Sequence, residues 1–331
     1  MTPRGMTLQA ADTVSSIFAP VSTPAAKEAE LAKMVLVLSA VVFVVVAGLI
    51  AYSVVRFRAP AGGEPGSEPP QVYGSAQVEA AWIAVPLIIV IVLALAGGRV
   101  IHEIQAAPQP PSAVEVTVVG RQWWWEIRYP KLGVVTANEL HVPVSDSITR
   151  RPTFLTLESA DVAHSFWVPR VAGKTDLIPN RTNRMWVEPH EPGTYLGQCA
   201  EYCGTQHAFM LLRVVAEPPE QFARWVEQQR RAADAAPADP VAAAGRRLFL
   251  GTVCSGCHTV AGTAATGRYG PDLTHLMSRA TIGAGVASNT REQLRAWVRN
   301  PDHLKRGVLM PAMQIEDEYL HQLVEYLVTL H

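Results

Sequence analysis

What this chain withholds is the first guide to it. Cysteine is scarce, four in 331 residues, too few for a disulfide-stapled scaffold. None lies near the N-terminus, which argues against a lipid-anchored start. Charges of the two signs nearly cancel, to a formal net of −1, so no nucleic-acid partner is expected. No residue set has the look of an acid–base or nucleophile constellation, so no catalytic residue is assigned. Two stretches lack charge altogether: residues 34–55 (MVLVLSAVVFVVVAGLIAYSVV) and residues 80–98 (AAWIAVPLIIVIVLALAGG). A bilayer core takes about 20 apolar residues as a helix, and soluble helices seldom run so long without a charge. Residues 31–104 are therefore expected to form a transmembrane hairpin, after an N-terminal segment, 1–30. The first run begins too late for a signal peptide, has no cleavage region after it and ends in RFR. Pro86 falls near the start of the second run, where a missing N–H does least damage. Arg56 and Arg58 give the segment between the spans a modest positive-inside signal, but Arg4, Lys27 and Lys33 leave charge alone undecided.

Beyond the hairpin the pattern changes to short β-rich segments. AVEVTVVG, WWWEIRY, ELHVPV, PTFLTLES, NRMWVEP, GTYLGQ and MLLRVVAE are separated by Pro, Gly, Asn and Asp. That spacing predicts a small sandwich or barrel over 105–217. A polar helix and an Ala/Pro-rich linker follow over 218–240. The last part, 241–331, lacks strand patterns, with helices expected at 241–250, near 290–299 and over 316–330. Neither the β-rich nor the C-terminal part carries a large net charge. The length of the tether, rather than long-range charge, is expected to position the C-terminal domain.

The four thiols come in two pairs, each with a His beside it. In CSGCH, Cys254 and Cys257 can form thioether bonds to two vinyl groups of one macrocycle, and His258 then places an imidazole under the iron. A redox pair would sit near a βαβ pattern, and a zinc site would need two more ligands. The other pair lies in QCAEYCGTQHAFM, residues 198–210. Thiolates and a thioether favour soft metals. A single blue copper uses one Cys, so two thiolates four residues apart suggest bridging of two copper ions. Each ion then needs an imidazole. His207 supplies one, and His164, in DVAHSFWVP, is the candidate for the other. The rival reading is a disulfide with a stray His and Met.

The flanks carry a resemblance. GRRLF before the haem motif, GPDL (270–273) after it, NPDHLKRGVLMPAM and the last amphipathic helix together resemble a class I cytochrome c. In that family the first and last helices cross closely, and Gly245 would be the small residue at the crossing, one helical turn from Phe249. The sixth iron ligand maps to Met310, with Met313 the alternative. The N-terminal two thirds resembles subunit II of a haem–copper cytochrome c oxidase. SIFAPVSTPA, VEAAWIAVP, GRQWWWEI, DVAHSFWVP, GKTDLIPN and GTYLGQCAEYCGTQHAFM match in order.

The resemblance implies a multidomain membrane protein: a two-helix transmembrane hairpin, a β cupredoxin barrel and an all-α cytochrome c domain. It implies a dinuclear Cu-A centre, in which Cys199 and Cys203 bridge both coppers. His164 and Met210 complete one copper; His207 and the backbone carbonyl of Glu201 complete the other. The Glu201 side chain would reach a magnesium ion at the boundary with subunit I. Trp123, first of WWW, would take up electrons over Cu-A, although this family usually has Trp-Tyr-Trp there. On a strand, Trp123 and Trp125 face one way and Trp124 the other. The remaining histidines, among them His141 and His275, are taken as structural or solvated. The implied activity is a relay from a covalent haem c to Cu-A and then to the haem of subunit I, where oxygen becomes water and protons are pumped. Subunits I and III are the implied partners, with a cytochrome c or a quinol–cytochrome c reductase as the donor class. The implied place is a bacterial inner membrane, both globular domains on the periplasmic side.

Overall fold

The computed structural model describes residues 15–58, 71, 73–107, 109–146, 148–232 and 237–331. The first part of the N-terminal segment and most of the expected cytoplasmic loop lie outside the described residues, as do positions 233–236 of the linker. Contacts divide the chain into two units, Ala26–Pro108 on one hand and Met1–Ala25 with Gln109–His331 on the other.

The first unit consists of α1 (Thr23–Arg56) from Ala26 onward and α2 (Ala76–Gln105). Both helices are long and apolar enough to cross a bilayer, and their apolar windows are not buried within the chain. Such helices satisfy every backbone group internally and leave their side chains to lipid. Glu103 receives Arg99 at 2.8 Å and pairs with Lys27, so a polar clasp joins the two helices at one end. The sequence puts Pro86 near the start of the apolar run, but α2 begins at Ala76 and Pro86 lies inside it. Its missing donor therefore falls in the helix body, a situation transmembrane helices tolerate.

The larger unit opens with ten strands. They are β1 (Val114–Arg121), β2 (Trp124–Tyr129), β3 (Val134–Ala137), β4 (Glu139–Pro143), β5 (Thr153–Ser159), β6 (His164–Val168), β7 (Ala172–Leu177), β8 (Asn183–Val187), β9 (Gly193–Cys199) and β10 (Leu211–Glu217). They form two sheets, ordered β3-β2-β1-β5-β8 and β4-β10-β9-β6-β7. Alternation along each strand sends one face inward: Trp125, Ile127 and Tyr129 on β2 meet Phe166, Leu155, Leu157 and Leu212 in a fully shielded core. The sequence pattern finds seven of these strands and passes over β3, β6 and β7. His164 is the first residue of β6, one of the strands the pattern passes over. Trp123 precedes β2 rather than belonging to it; it is buried, and with Trp124 it lines a cavity that Trp125 does not reach.

Helix α3 (Pro219–Gln229) packs Phe222 and Trp225 onto Tyr129, and Trp225 stacks on His141 at 4.2 Å. After the linker come α4 (Pro240–Gly251), α5 (Cys254–Cys257), α6 (Arg291–Arg299), α7 (Pro301–Leu304) and α8 (Asp317–Leu327). Asp239 caps α4 through the Ala242 amide at 2.8 Å and Thr290 caps α6 through Gln293. The first and last of these helices cross at Gly245. A β-carbon there would lie 1.9 Å from the Gln322 carbonyl oxygen, so only glycine permits the approach.

The helical domain sits on the sandwich through a polar seam. Glu139 of β4 accepts the Ala280 amide at 2.9 Å and the Thr281 amide at 3.2 Å. Arg213 donates to Thr281 Oγ1 at 2.7 Å, and the Leu211 amide donates to the Ala284 carbonyl at 3.1 Å. Balanced net charge conceals this seam in the sequence, because its members are individual buried groups rather than charged faces.

Candidate metal centres

Strand pairing builds the first site. β6 and β9 run antiparallel with Phe166 opposite Cys199, which brings His164 to the end of the sheet from which the 200–210 loop emerges. The loop closes on itself when the Cys199 amide donates to the Met210 carbonyl at 3.0 Å. The result is a cluster of soft donors. Cys199 Sγ lies 3.7 Å from Cys203 Sγ and 3.9 Å from His164 Nδ1. Cys203 Sγ lies 3.7 Å from His207 Nδ1 and 3.8 Å from Met210 Sδ. The Glu201 carbonyl oxygen is 3.1 Å from Cys199 Sγ.

These spacings discriminate between readings. A disulfide needs about 2.05 Å between sulfurs, and both thiols are free. Two donors on metal bonds of about 2.1 and 2.3 Å at a tetrahedral angle are roughly 3.6–3.8 Å apart. The donor set thus fits metal, and its softness fits copper. His164 and the two thiols fall within 4.8 Å of one another, while His207 approaches from the Cys203 side.

The residues behind the donors complete the picture. His164 Nε2 is held by Asp161 Oδ1 at 2.8 Å, which leaves Nδ1 for the metal. Burial works against protonation of His164, but Asp161 and Cys199 lift its pKa above the usual imidazole range. The hydrogen bond shared with Cys203 is the largest of the effects holding Cys199 well below the usual thiol range. The hydrogen bond to Cys199, together with burial, pushes Cys203 up, and a bound cation would favour loss of its proton. Gly120 lies against the His164 ring, where a β-carbon would come within 2.7 Å of Cδ2.

The second site is a cavity of about 410 Å³ in the helical domain, lined by Cys254, Cys257, His258 and Met310. Leu294 and Leu323 belong to its apolar wall. His258 Nδ1 contacts the Pro271 carbonyl at 2.8 Å; as donor there, it leaves Nε2 as the free lone pair. Burial keeps His258 below the usual imidazole range, in the neutral form that ligates. Two thiols, one imidazole, one thioether and an apolar hollow fit a haem. Met313, the alternative thioether, does not line the cavity.

Between the sites stands Trp123. Its ring lines the cavity, and its Nε1 donates to the Cys203 carbonyl at 3.0 Å. Lys305 reaches the same place with 3% exposure. Burial opposes the charge on its ammonium and lowers its pKa, while three backbone carbonyls facing it match the three N–H donors of the charged form. Sequence reasoning passed over Asp161 and Lys305. Asp161 could have been found as a carboxylate three residues before a ligand histidine. Lys305 carries no sequence signal, since only the fold brings it to Trp123.

Three family models match: "Cytochrome C oxidase subunit II, transmembrane domain" over residues 11–99, "Cytochrome C oxidase subunit II, periplasmic domain" over 148–217, and "Cytochrome c" over 242–331. The chain is 33% identical to cytochrome c oxidase subunit 2 of Alkalihalophilus pseudofirmus, over 89% of this chain and 84% of that one. It is 31% identical to the Bacillus subtilis protein of the same name, over 83% and 80%. Among solved structures, the periplasmic domain of subunit II of cytochrome oxidase from Bradyrhizobium japonicum is 30% identical, covering 37% of this chain and 96% of that chain, with a TM-score of 0.34.

Proposed function

Because the chain belongs to the cytochrome c oxidase subunit II family and carries a cytochrome c domain, we propose that it moves electrons within a haem–copper oxidase, from its C-terminal domain past Trp123 to the thiol site of its sandwich. Haem and dinuclear copper, when bound, supply one-electron redox chemistry. The chain's own groups do the holding. Cys254 and Cys257 would hold a haem c through thioether bonds, and His258 and Met310 would ligate its iron. Cys199, Cys203, His164, His207, Met210 and the Glu201 carbonyl would hold the copper. Asp161 fixes the His164 ring from behind. The Glu201 carboxylate is assigned to a magnesium ion shared with subunit I. Both globular domains face the periplasm of a bacterial inner membrane, beside subunits I and III, and an outside cytochrome c or quinol–cytochrome c reductase delivers to the C-terminal domain.

The observation that carries this reading is one side chain with two neighbours: Trp123 lines the cavity shared by Cys254 and His258 and hydrogen-bonds the backbone of Cys203. The test is flash reduction of the purified oxidase, following the haem c band and the near-infrared Cu-A band together. One time constant for haem oxidation and copper reduction is expected. Copper reduction while haem c stays reduced overturns the reading. Metal analysis of the complex should give iron and copper assignable to this chain.

A further inference from the structure

We propose that Lys305 is the pin that holds the C-terminal domain in register on the sandwich, a positioning residue for transfer between the two centres. The inference rests on the relay reading above. Lys305 follows α7 in the C-terminal domain, five residues before Met310. Its Nζ donates to three backbone carbonyls: Trp123 at 2.8 Å, Phe209 at 2.9 Å and Gly283 at 2.9 Å. Two of these acceptors belong to the sandwich. Trp123 is the aromatic between the sites, and Phe209 immediately precedes the ligand Met210. The third acceptor, Gly283, lies in the C-terminal domain, between the seam residues Thr281 and Ala284. One ammonium therefore joins the chain segment leading to Met310, the loop that carries the copper donors and the residue between them.

The burial of this group gives it leverage. A charged amine removed from water must be matched by hydrogen bonds, and here the match exists only while the two domains are docked. Separating them strips Lys305 of two of its three acceptors and leaves their carbonyls to find water. Surface ion pairs contribute little to such a docking; a shielded ammonium on three carbonyls contributes more, because each bond is charge-assisted. Gln206, which donates to the Arg306 carbonyl next door, extends the same contact.

The test uses Lys305→Met in the full chain within the purified oxidase. Hydrogen exchange of the seam amides is the first readout: Leu211, Ala280 and Thr281 should exchange at least roughly tenfold faster, the equivalent of losing one charge-assisted hydrogen bond. Amides inside each domain, on β1 and α8, should not change, and the haem c and Cu-A bands should persist. Haem-to-copper transfer after a flash should slow by about tenfold or more, as misplacement on the ångström scale does. Unchanged seam exchange together with an unchanged rate overturns the proposal.

Should the variant fail to assemble, a cross-link carries the test. A β-carbon at Gly307 would lie 3.9 Å from Thr205 Cβ, within disulfide reach. Because Gly307 has φ +78, a cysteine there is strained, and Thr205→Cys with Gly307→Cys on wild-type Lys305 is the reference for assembly and rate. Lys305→Met with Thr205→Cys and Gly307→Cys should then assemble and transfer at close to the reference rate. Assembly with slow transfer overturns a positioning role. If the wild-type complex itself shows no coupled haem oxidation and copper reduction, the relay reading fails, while seam exchange still decides whether Lys305 holds the domains.

Discussion

Two thiol pairs in one chain are treated in opposite ways. Cys199 and Cys203 are each 3% exposed, at the end of a sandwich that is packed without help. Cys254 is half-buried and Cys257 exposed, on the wall of a hollow. The difference teaches where each cofactor stands in the energetics. The copper donors are set by strand register and by backbone bonds such as Cys199 to Met210, so the ion enters a site the fold has already made. The helical domain instead borders a cavity of about 410 Å³, closed on the other side by Trp123, Trp124 and Asn138 of the sandwich, and Leu294 and Leu323 of its core line that space. Haem there is core material as much as redox centre.

Removing each cofactor breaks this comparison most directly. Cys254→Ser with Cys257→Ser should abolish the haem c band and leave the C-terminal domain open to limited proteolysis, while the sandwich keeps its near-infrared band. A proteolysis-resistant domain without haem would contradict the idea that haem completes the core. Cys199→Ser should eliminate the Cu-A band but leave the haem c band, and the sandwich should still unfold cooperatively by circular dichroism. Asp161→Asn probes a smaller effect, the orientation of His164 from behind, and should weaken copper retention against a chelator by roughly 10–100-fold. Next is the helix crossing. Gly245→Ala should destabilise the haem domain by about 1–3 kcal/mol, read as an earlier loss of haem absorption on heating, without moving copper affinity. Least of all, salt should alter the internal haem-to-copper step less than about twofold between low and high ionic strength, because the seam groups Glu139 and Lys305 are shielded from counter-ions. A steep fall would mean that the domains meet through exposed charge.

Much of this was legible before any coordinates. Charge-free runs and thiol spacing are local signals, and they led to both spans and to the clustering of His164, Cys199, Cys203 and His207; Met210, the Glu201 carbonyl and Met310 entered through the family resemblance. Helix limits came close as well, because α4, α6 and α8 carry periodic apolar residues and α4 and α6 also have capping residues such as Asp239 and Thr290. The weaker strands escaped for a physical reason. β7, AGKTDL, has its middle residues outside the core and holds its place by pairing with β6. β3 is only four residues long. Lys305, Glu139 and Arg213 are ordinary surface types in sequence; a domain contact buries Lys305 and Glu139 and half-buries Arg213. The sequence balance of charge suggests that tether length, rather than long-range charge, positions the haem domain. The seam supplies a specific docking that net charge could not reveal.

Trp123 has a consequence for traffic from outside. It retains 8% of its surface, enclosed between the sandwich and the helical domain. A diffusing carrier therefore finds no landing place on that ring. In the docked arrangement the C-terminal domain covers this face of the sandwich, and on the relay reading proposed above an outside carrier would meet that domain before Trp123.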